Sequence, residues 1–524
     1  MNVTREHTVW TTIGEVIEPF VEQGPPNGTA DFCYVDISSI DNACKRIVDP
    51  KILPASNAPT RARQHLRLGD VLVSMTRPNL NAVAIVPDEL ENAIGSTGFC
   101  VLRPIEIIPS FFFYLVQTED FVSAMSMLVQ GALYPAVRPR NIFEYKFRLP
   151  PLSEQRRIVA KIEELFSKLA AGVEELRKAQ VQLKRYRQAM LQAAVSGQLT
   201  REWREARKHE LEPASELLGR IRKQRRMKWE QDQIAKMSAA GKKPIDAEWK
   251  NKYIEPPQCE AVDLKNLPYL WVWARAEQVC DFITKGTTPS ASKLFASGEI
   301  PYIKVYNLTD RGTLDFSIKP TFVARSTHAG ELARSRVFPG DVLMNIVGPP
   351  LGKVSLVTGP FAEWNINQAI AIFRSMPSFD RKYLVLCLLA KDIQIWAERR
   401  AKATAGQFNL TLEICRDLPL PLPPLFEQQK IVDTVERCVS IAEAIEQVIK
   451  NTLKQCERMR YSILRDAFEG KLVPQDSNEE PAELLLERIK IERAKLEAEK
   501  DAKAKSNRKR LTSKRTKRTE RPAA

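Results

Sequence analysis

One stretch of the chain occurs twice, and it limits what the rest can be. It opens at Pro150-Pro151-Leu152-Ser153-Glu154-Gln155 and runs without another Pro to Ser196-Gly197-Gln198-Leu199. Apolar residues at Ile158, Ile162, Leu165, Leu169, Val173, Leu176, Leu183 and Met190 follow one another in steps of three, four or seven, the stripe of an amphipathic helix. The two prolines forbid helix before them, Ser153 is placed to cap free amides, and Gly197 is a natural stop. At about 1.5 Å per residue, about 43 residues make a rod of roughly 65 Å. The rod returns at Pro423-Pro424-Leu425-Phe426-Glu427-Gln428, 273 positions later (425 − 152), and the offset holds through Ile158/Ile431, Ile162/Val435, Leu191/Leu464 and Gly197/Gly470. Phe426 replaces Ser153, so the second rod is expected to lose about 1 kcal/mol of capping. Two equal rods with one stripe each can bury those stripes against each other. The expected pairing residues are Ile158, Ile162, Leu165 and Leu169 on one, and Ile431, Val435, Ala442 and Ile463 on the other.

Around the rods the chain repeats again. Trp10 corresponds to Trp273 and Tyr34 to Tyr302, while Gly69-Asp70-Val71-Leu72 matches Gly340-Asp341-Val342-Leu343 and Arg103 matches Arg374 at a common offset of 271. Short β-like runs (Tyr34–Ile37, Val71–Met75, Phe99–Leu102) and a helical stretch over 109–127 give the first copy an α/β texture. The organisation is therefore a tandem duplication: a globular unit at 1–150, a long helix at 151–200, a basic helical connector at 201–262, a second unit at 263–420, a second long helix at 421–475, and a basic, partly disordered tail at 476–524. Glu480-Pro481-Ala482 in the tail echoes Glu212-Pro213-Ala214 in the connector.

The net charge of +15 over 524 residues favours a polyanionic partner, and nucleic acid is the commonest. Nine cysteines at 33, 44, 100, 259, 280, 387, 415, 438 and 456 show no Cys-x-x-Cys spacing, so they read as free thiols of a cytoplasmic protein. No apolar run has the length of a membrane span, and Met1 to Trp10 lacks a signal-peptide core.

Catalytic signatures are absent from the sequence. Gly348-Pro349-Pro350-Leu351-Gly352-Lys353-Val354-Ser355 sets its glycines one residue too close for a phosphate-binding loop. Glu255-Pro256-Pro257-Gln258 is the nearest approach to the Asn-Pro-Pro-aromatic tetrapeptide of amino-methyltransferases, and histidines 7, 65, 209 and 328 make no metal-ligand set. Asp70 and Asp341 read as turn formers beside their glycines.

Two like units joined by two rods have few compact arrangements. With the rods antiparallel, a direct repeat in sequence becomes an inverted pair in space, which is the symmetry of duplex DNA. The expected fold is mixed α+β: two pseudo-two-fold related α/β recognition domains separated by two long antiparallel, coiled-coil-like helices. The copies keep the scaffold and change the loops, as where Arg77-Pro78-Asn79-Leu80-Asn81 faces Gly348-Pro349-Pro350-Leu351-Gly352, so an asymmetric bipartite target follows. Candidate base readers are Arg77, Asn79, Asn81, Tyr134, Arg138 and Arg140 in the first unit. In the second they are Lys285, Thr287, Thr288, Tyr306, Asn307, Asn345, Lys353, Asn367, Gln407 and Asn409.

The doubled Pro-Pro-Leu-x-Glu-Gln-x-x-Ile-Val followed by a long helix ending Gly-x-Leu, with Lys285-Gly286-Thr287-Thr288-Pro289-Ser290 opening the second unit, resembles the specificity subunit of type I restriction-modification systems. The likeness covers nearly the whole chain. It implies two target-recognition domains, double-stranded DNA as ligand, and assembly with two modification (methyltransferase) subunits and with ATP-dependent restriction subunits. S-adenosylmethionine, ATP and magnesium would belong to those partners, with no catalytic residue, metal or cofactor on this chain. Gln23-Gly24-Pro25-Pro26 departs from the Thr-Pro-Ser opening in the first copy, and the basic tail is unusually long. Two other classes stay open: a stand-alone DNA-modifying enzyme, and a non-specific coiled-coil nucleic-acid-binding scaffold.

Overall fold

The computed structural model describes residues 7–26, 30–129, 135–241, 246–260, 264–349, 351–404 and 407–519, with side chains throughout except at 402–404, 407 and 503–519. They form two compact units, one drawn from 1–177 and 450–524, the other from 178–449. Each unit takes in part of each rod.

The two units share a sheet framework that the second unit extends. In the first, a four-stranded sheet runs Lys51–Pro54, Asp31–Val35, Ile94–Ser96, Ala62–His65, its two central strands parallel and the outer ones antiparallel. In the second the same order is Phe322–Val323, Ile300–Ile303, Trp364–Ile366, Arg336–Val337, with the same directions. A further sheet centres on Val71–Ser74 between Phe99–Leu102 and Val83–Ile85, matched by Val342–Asn345 between Ile370–Ser375 and Val354–Leu356. All four residues of Val71–Ser74 and of Val342–Asn345 are buried, because successive side chains serve different cores. Val71 and Val73 pack with the helices and the rod, while Leu72 packs with Val35 and Leu66; Val342 and Met344 face one core and Leu343 the other.

An ion pair locks each of these strands at its mouth. Gly69 (φ 83°) and Gly340 (φ 98°) turn the chain in the left-handed region, and the following Asp accepts from the backbone N–H three residues back, Arg67 or Phe338, at 2.8 Å. The same carboxylates take a bidentate guanidinium from the neighbouring strand, Arg103 at 2.7 and 2.7 Å and Arg374 at 2.7 and 2.8 Å. The turn role expected for Asp70 and Asp341 holds, and an inter-strand clamp is added to it.

The rods are continuous helices, Leu152–Val195 and Leu425–Phe468, ended by Gly197 (φ 72°) and Gly470 (φ 66°). In the first unit Ile158 and Ile162 share a core with Leu464 and Ala467; in the second Met190, Ala194 and Val195 share one with Ile431, Val432 and Val435. Within each unit, then, the start of one rod meets the end of the other. Ala442 is buried, while Leu165, Leu169 and Ile463 are half-buried along the same stripe.

The capping expectation needs correction. Each helix begins at the Leu directly after the two prolines, so Ser153 lies inside the first turn and Phe426, 67% exposed, removes no cap. Glutamine does the anchoring instead. Gln155 donates to the Pro150 carbonyl (2.9 Å) and accepts from Ile108 N–H (3.2 Å); Gln428 donates to the Pro423 carbonyl (3.0 Å) and accepts from Asp380 N–H (2.9 Å). In both units the accepted amide belongs to the residue preceding a buried helix, Pro109–Leu115 or Arg381–Leu389. The helical stretch expected over 109–127 is in fact two helices, divided before Glu119–Met127 by the capping hydroxyl of Thr118.

Ala482–Thr519 is a helix whose Ala482, Leu485 and Ile489 are buried, as Ala214, Leu217 and Ile221 are in the connector helix Ala214–Ala239. Each starts on an equivalent carbonyl: Ala214 N–H donates to Leu270 (2.9 Å) and Ala482 N–H to His7 (3.2 Å).

The two Asp–Arg clamps differ in burial, with Arg103 8% exposed and Arg374 30% exposed. Asp70→Ala leaves the buried Arg103 guanidinium with only Glu18 (3.5 Å) and the His65 carbonyl (3.1 Å) and is expected to cost about 3 kcal/mol, against about 1 kcal/mol for Asp341→Ala. Thermal unfolding of the two variants checks this, and equal losses would contradict it.

Candidate nucleic-acid interface

In the first unit two loops lie side by side beyond the strand Val71–Ser74. Val137 N–H donates to the Met75 carbonyl (2.9 Å) and Arg77 N–H to the Pro135 carbonyl (2.8 Å), flanking a Thr76/Ala136 bridge. Arg77 (φ 49°) and Asn81 (φ 47°) both sit in the left-handed region around the turn Pro78–Leu80, a conformation that costs a non-glycine residue roughly 1 kcal/mol and persists where neighbours hold it. Asn81 supplies that hold by donating to the Val116 carbonyl (2.7 Å) while its own carbonyl accepts the Lys45 ammonium. Arg77, Asn79, Arg138 and Arg140 are exposed on this loop pair, Arg140 carrying an ion pair with Glu144 (2.6 Å). Tyr134 lies outside the described residues.

The second unit builds the same place differently. Val347–Gly348 pairs with Gln407–Asn409, which forms a hairpin with Lys402–Thr404. Asn345, 1% exposed, accepts from Lys353 N–H (2.9 Å) and donates to the Val347 carbonyl (3.1 Å), closing the base of the loop. Lys353 and Asn409 are half-buried beside it, and the side chain of Gln407 lies outside the described residues. Phe408, 47% exposed on the hairpin, was not among the residues singled out from sequence; an aromatic between two amides was the available signal.

A second group gathers where the strand Cys280–Lys285 ends. A Cβ on Gly286 would lie 2.1 Å from the Asn367 carbonyl oxygen, so only glycine lets the two loops approach. They are latched by Gly286 N–H to the Ile370 carbonyl (3.0 Å), Gln368 N–H to Thr288 Oγ1 (3.3 Å) and Tyr302 Oη–H to the Thr287 carbonyl (2.8 Å). Lys285 and Thr288 are exposed there, and Asn367 Oδ1 is buried without a hydrogen-bond partner. Tyr306 donates to the Lys319 carbonyl (3.2 Å).

Asn307 and Asn345 do not fit the reader role in this arrangement. Asn307 is 1% exposed and spends its amide on Lys304 N–H (2.9 Å) and the carbonyls of Asp315 (3.1 Å) and Ile318 (2.8 Å). Both asparagines shape loops from within. His328, also buried, is held between Asn365 Oδ1 (2.6 Å) and Glu363 (3.0 Å), and Asn365 donates in turn to the carbonyls of Leu332 and Ser335. Among the described residues no group of His, Cys, Asp and Glu could hold a metal ion, and no helix is long and apolar enough to cross a membrane.

What the two units present is guanidinium, amide and hydroxyl groups on paired loops over a rigid duplicated scaffold. That defines a class: a doubled recognition protein whose copies share a frame and differ in their contact surface. The type I restriction modification DNA specificity domain matches residues 66–181 and 268–455, together more than half of the chain. The chain belongs to that family, and its function is that of a DNA sequence specificity subunit of a type I restriction-modification system. It is 25% identical to the EcoDI specificity subunit of Escherichia coli over 78% of this chain and 81% of the relative, and 26% identical to the EcoBI specificity subunit over 73% and 72%. Among solved structures, the HsdS subunit from Thermoanaerobacter tengcongensis superposes with a TM-score of 0.53 at 25% identity, covering 89% of this chain and 98% of that one. A chain from a structure of type I restriction-modification complex assembly and conformational transition gives 0.62 at 26% identity, with the same coverage.

Gly286→Ala is expected to unlatch the Lys285–Ser290 loop. Amide exchange should rise at 285–290 and 367–370 and stay unchanged in the first unit's sheet, and protection equal to wild type would contradict the close-approach reading.

Proposed function

We propose that each unit reads one half of an asymmetric bipartite DNA target and that the paired rods fix the spacing between the halves. One observation carries the reading: equivalent strands present equivalent loop pairs in the two units, with unlike residues on them. Exposed Arg77, Asn79 and Arg138 stand on one pair; Asn409 and Phe408 stand on the other. Arg suits guanine O6/N7, and Asn suits adenine N6/N7. Rod starts meeting rod ends inside each unit support an antiparallel pair and a pseudo-two-fold frame, which matches opposite strands of a duplex.

In this reading the chain is a non-catalytic cytoplasmic subunit. Two modification subunits would dock on it and supply S-adenosylmethionine-dependent adenine methylation. Restriction subunits would add ATP- and magnesium-dependent cleavage. The +15 net charge supplies the sequence-independent phosphate term common to such proteins.

Genome-wide mapping of methylated adenines, in cells with and without this chain, is the test. The expected result is one motif of two unlike halves across a fixed gap, and exchanging Arg77 and Asn79 for alanine should relax one half only. A single uninterrupted motif, or both halves relaxing together, would refute the division of labour.

A further inference from the structure

Each unit holds a groove at the same place in the duplicated architecture, between a rod, a buried helix and a surface segment, 44–47 in the first unit and 311–313 in the second. In the first unit the groove is 840 Å3 and is floored by Phe113, Tyr114 and Phe166; in the second it is 280 Å3, with Val385, Leu386 and Val439 in comparable positions. The rod residues correspond at the offset of 273: Glu163/Glu436, Phe166/Val439 and Ala170/Glu443.

Their charges do not correspond. The second groove neutralises itself: Lys382 pairs with Glu436 (2.6 Å), Arg311 pairs with Glu446 (3.1 Å), and Glu443 adds a further carboxylate. Arg187, on the adjoining face, also pairs with Glu446 (3.0 Å). In the first unit the equivalent of Arg187 is Arg460, and Val173 stands where Glu446 would be. Arg460 lies over the Phe166 ring at 4.4 Å. Beside it Lys45 is half-buried, and burial together with Arg460 pushes its ammonium down to about 8. Arg46 is exposed on the lip, and Glu163 is the one acidic residue lining the groove. Three cations thus surround an aromatic floor with one opposing carboxylate.

We propose that the first groove is a docking site for an acidic segment of a modification subunit, its carboxylates meeting Arg46, Lys45 and Arg460 and its apolar side chains covering Phe113 and Phe166. This rests on the reading that two such subunits assemble on the chain. The second groove would receive the other copy through apolar contact without those charge pairs, so the two copies are held with unequal salt sensitivity. A peptide fits better than a nucleic-acid backbone because the cations ring an aromatic recess, which phosphates leave uncovered.

The test uses the full chain with its cognate modification subunit, with stoichiometry read by native mass spectrometry and sedimentation. Between about 0.1 and about 0.5 M salt the wild-type complex should lose one copy well before the second, since screening weakens the ion-paired contact first. Arg46→Glu should weaken one of the two binding steps by at least about tenfold and leave the other unchanged, while Arg46→Lys restores it. Two copies leaving the wild type together, both steps unaffected by Arg46→Glu, or weakened duplex binding with both copies retained would each overturn the proposal. No association of any modification subunit with the wild-type chain would instead refute the functional reading on which it rests.

Discussion

The structure depends on two buried glutamines. Gln155 and Gln428 are 0% exposed, and each spans from a Pro carbonyl at the foot of a rod to the amide of the residue just before a helix in the domain that the rod leaves. A buried donor or acceptor left unmet costs about 1–3 kcal/mol, so a rod that swings away from its domain loses both bonds at once. The two joints use the same pair of bonds in the two units. Glu427 reinforces the second joint, accepting Thr200 Oγ1–H (2.6 Å), Arg204 (2.7 Å) and Trp271 Nε1–H (2.8 Å) at a fully buried site.

Rigid joints of this kind let the outer surface vary. The central strands bury both faces, the Asp–Arg clamps pin them, and the closing strands Val9–Thr12 and Val272–Arg275 pair with the strands that lead into the rods. None of these contacts uses the loops beyond Val71–Ser74 and Val342–Asn345. Those loops therefore diverged without disturbing the frame: a turn with two left-handed residues in one copy, a hairpin with an exposed Phe408 in the other. The unequal charge of the two rod grooves is the same freedom exercised on another surface.

Much of this was legible from spacing alone. Constant offsets of 271 and 273 identified the repeat, the strand mouths and the rods, because those positions are fixed by burial and by positive φ at Gly69, Gly340, Gly197 and Gly470. What escaped depends on contacts far apart in sequence. The bond from Gln155 to Ile108 and the pairing of Asp70 with Arg103 have no local signature. Whether an asparagine faces solvent or the inside of its loop is likewise decided by tertiary partners, so Asn307 and Asn345 looked like Asn79 until their bonds were seen. At the start of the tail, Ala482, Leu485 and Ile489 repeat the buried pattern of Ala214, Leu217 and Ile221, a short signal among many lysines and arginines.

The central proposal is that the twin rods run in opposite directions, which would turn a head-to-tail duplication into two reading surfaces for one duplex. Spin labels on the exposed positions Lys168, Tyr461 and Ile441, measured in pairs by pulsed electron resonance, address it most directly. Antiparallel rods predict Lys168 to Tyr461 below about 20 Å and Lys168 to Ile441 at about 30 Å, given a rise of about 1.5 Å per residue. Rods running the same way in register would reverse the two distances and contradict the account.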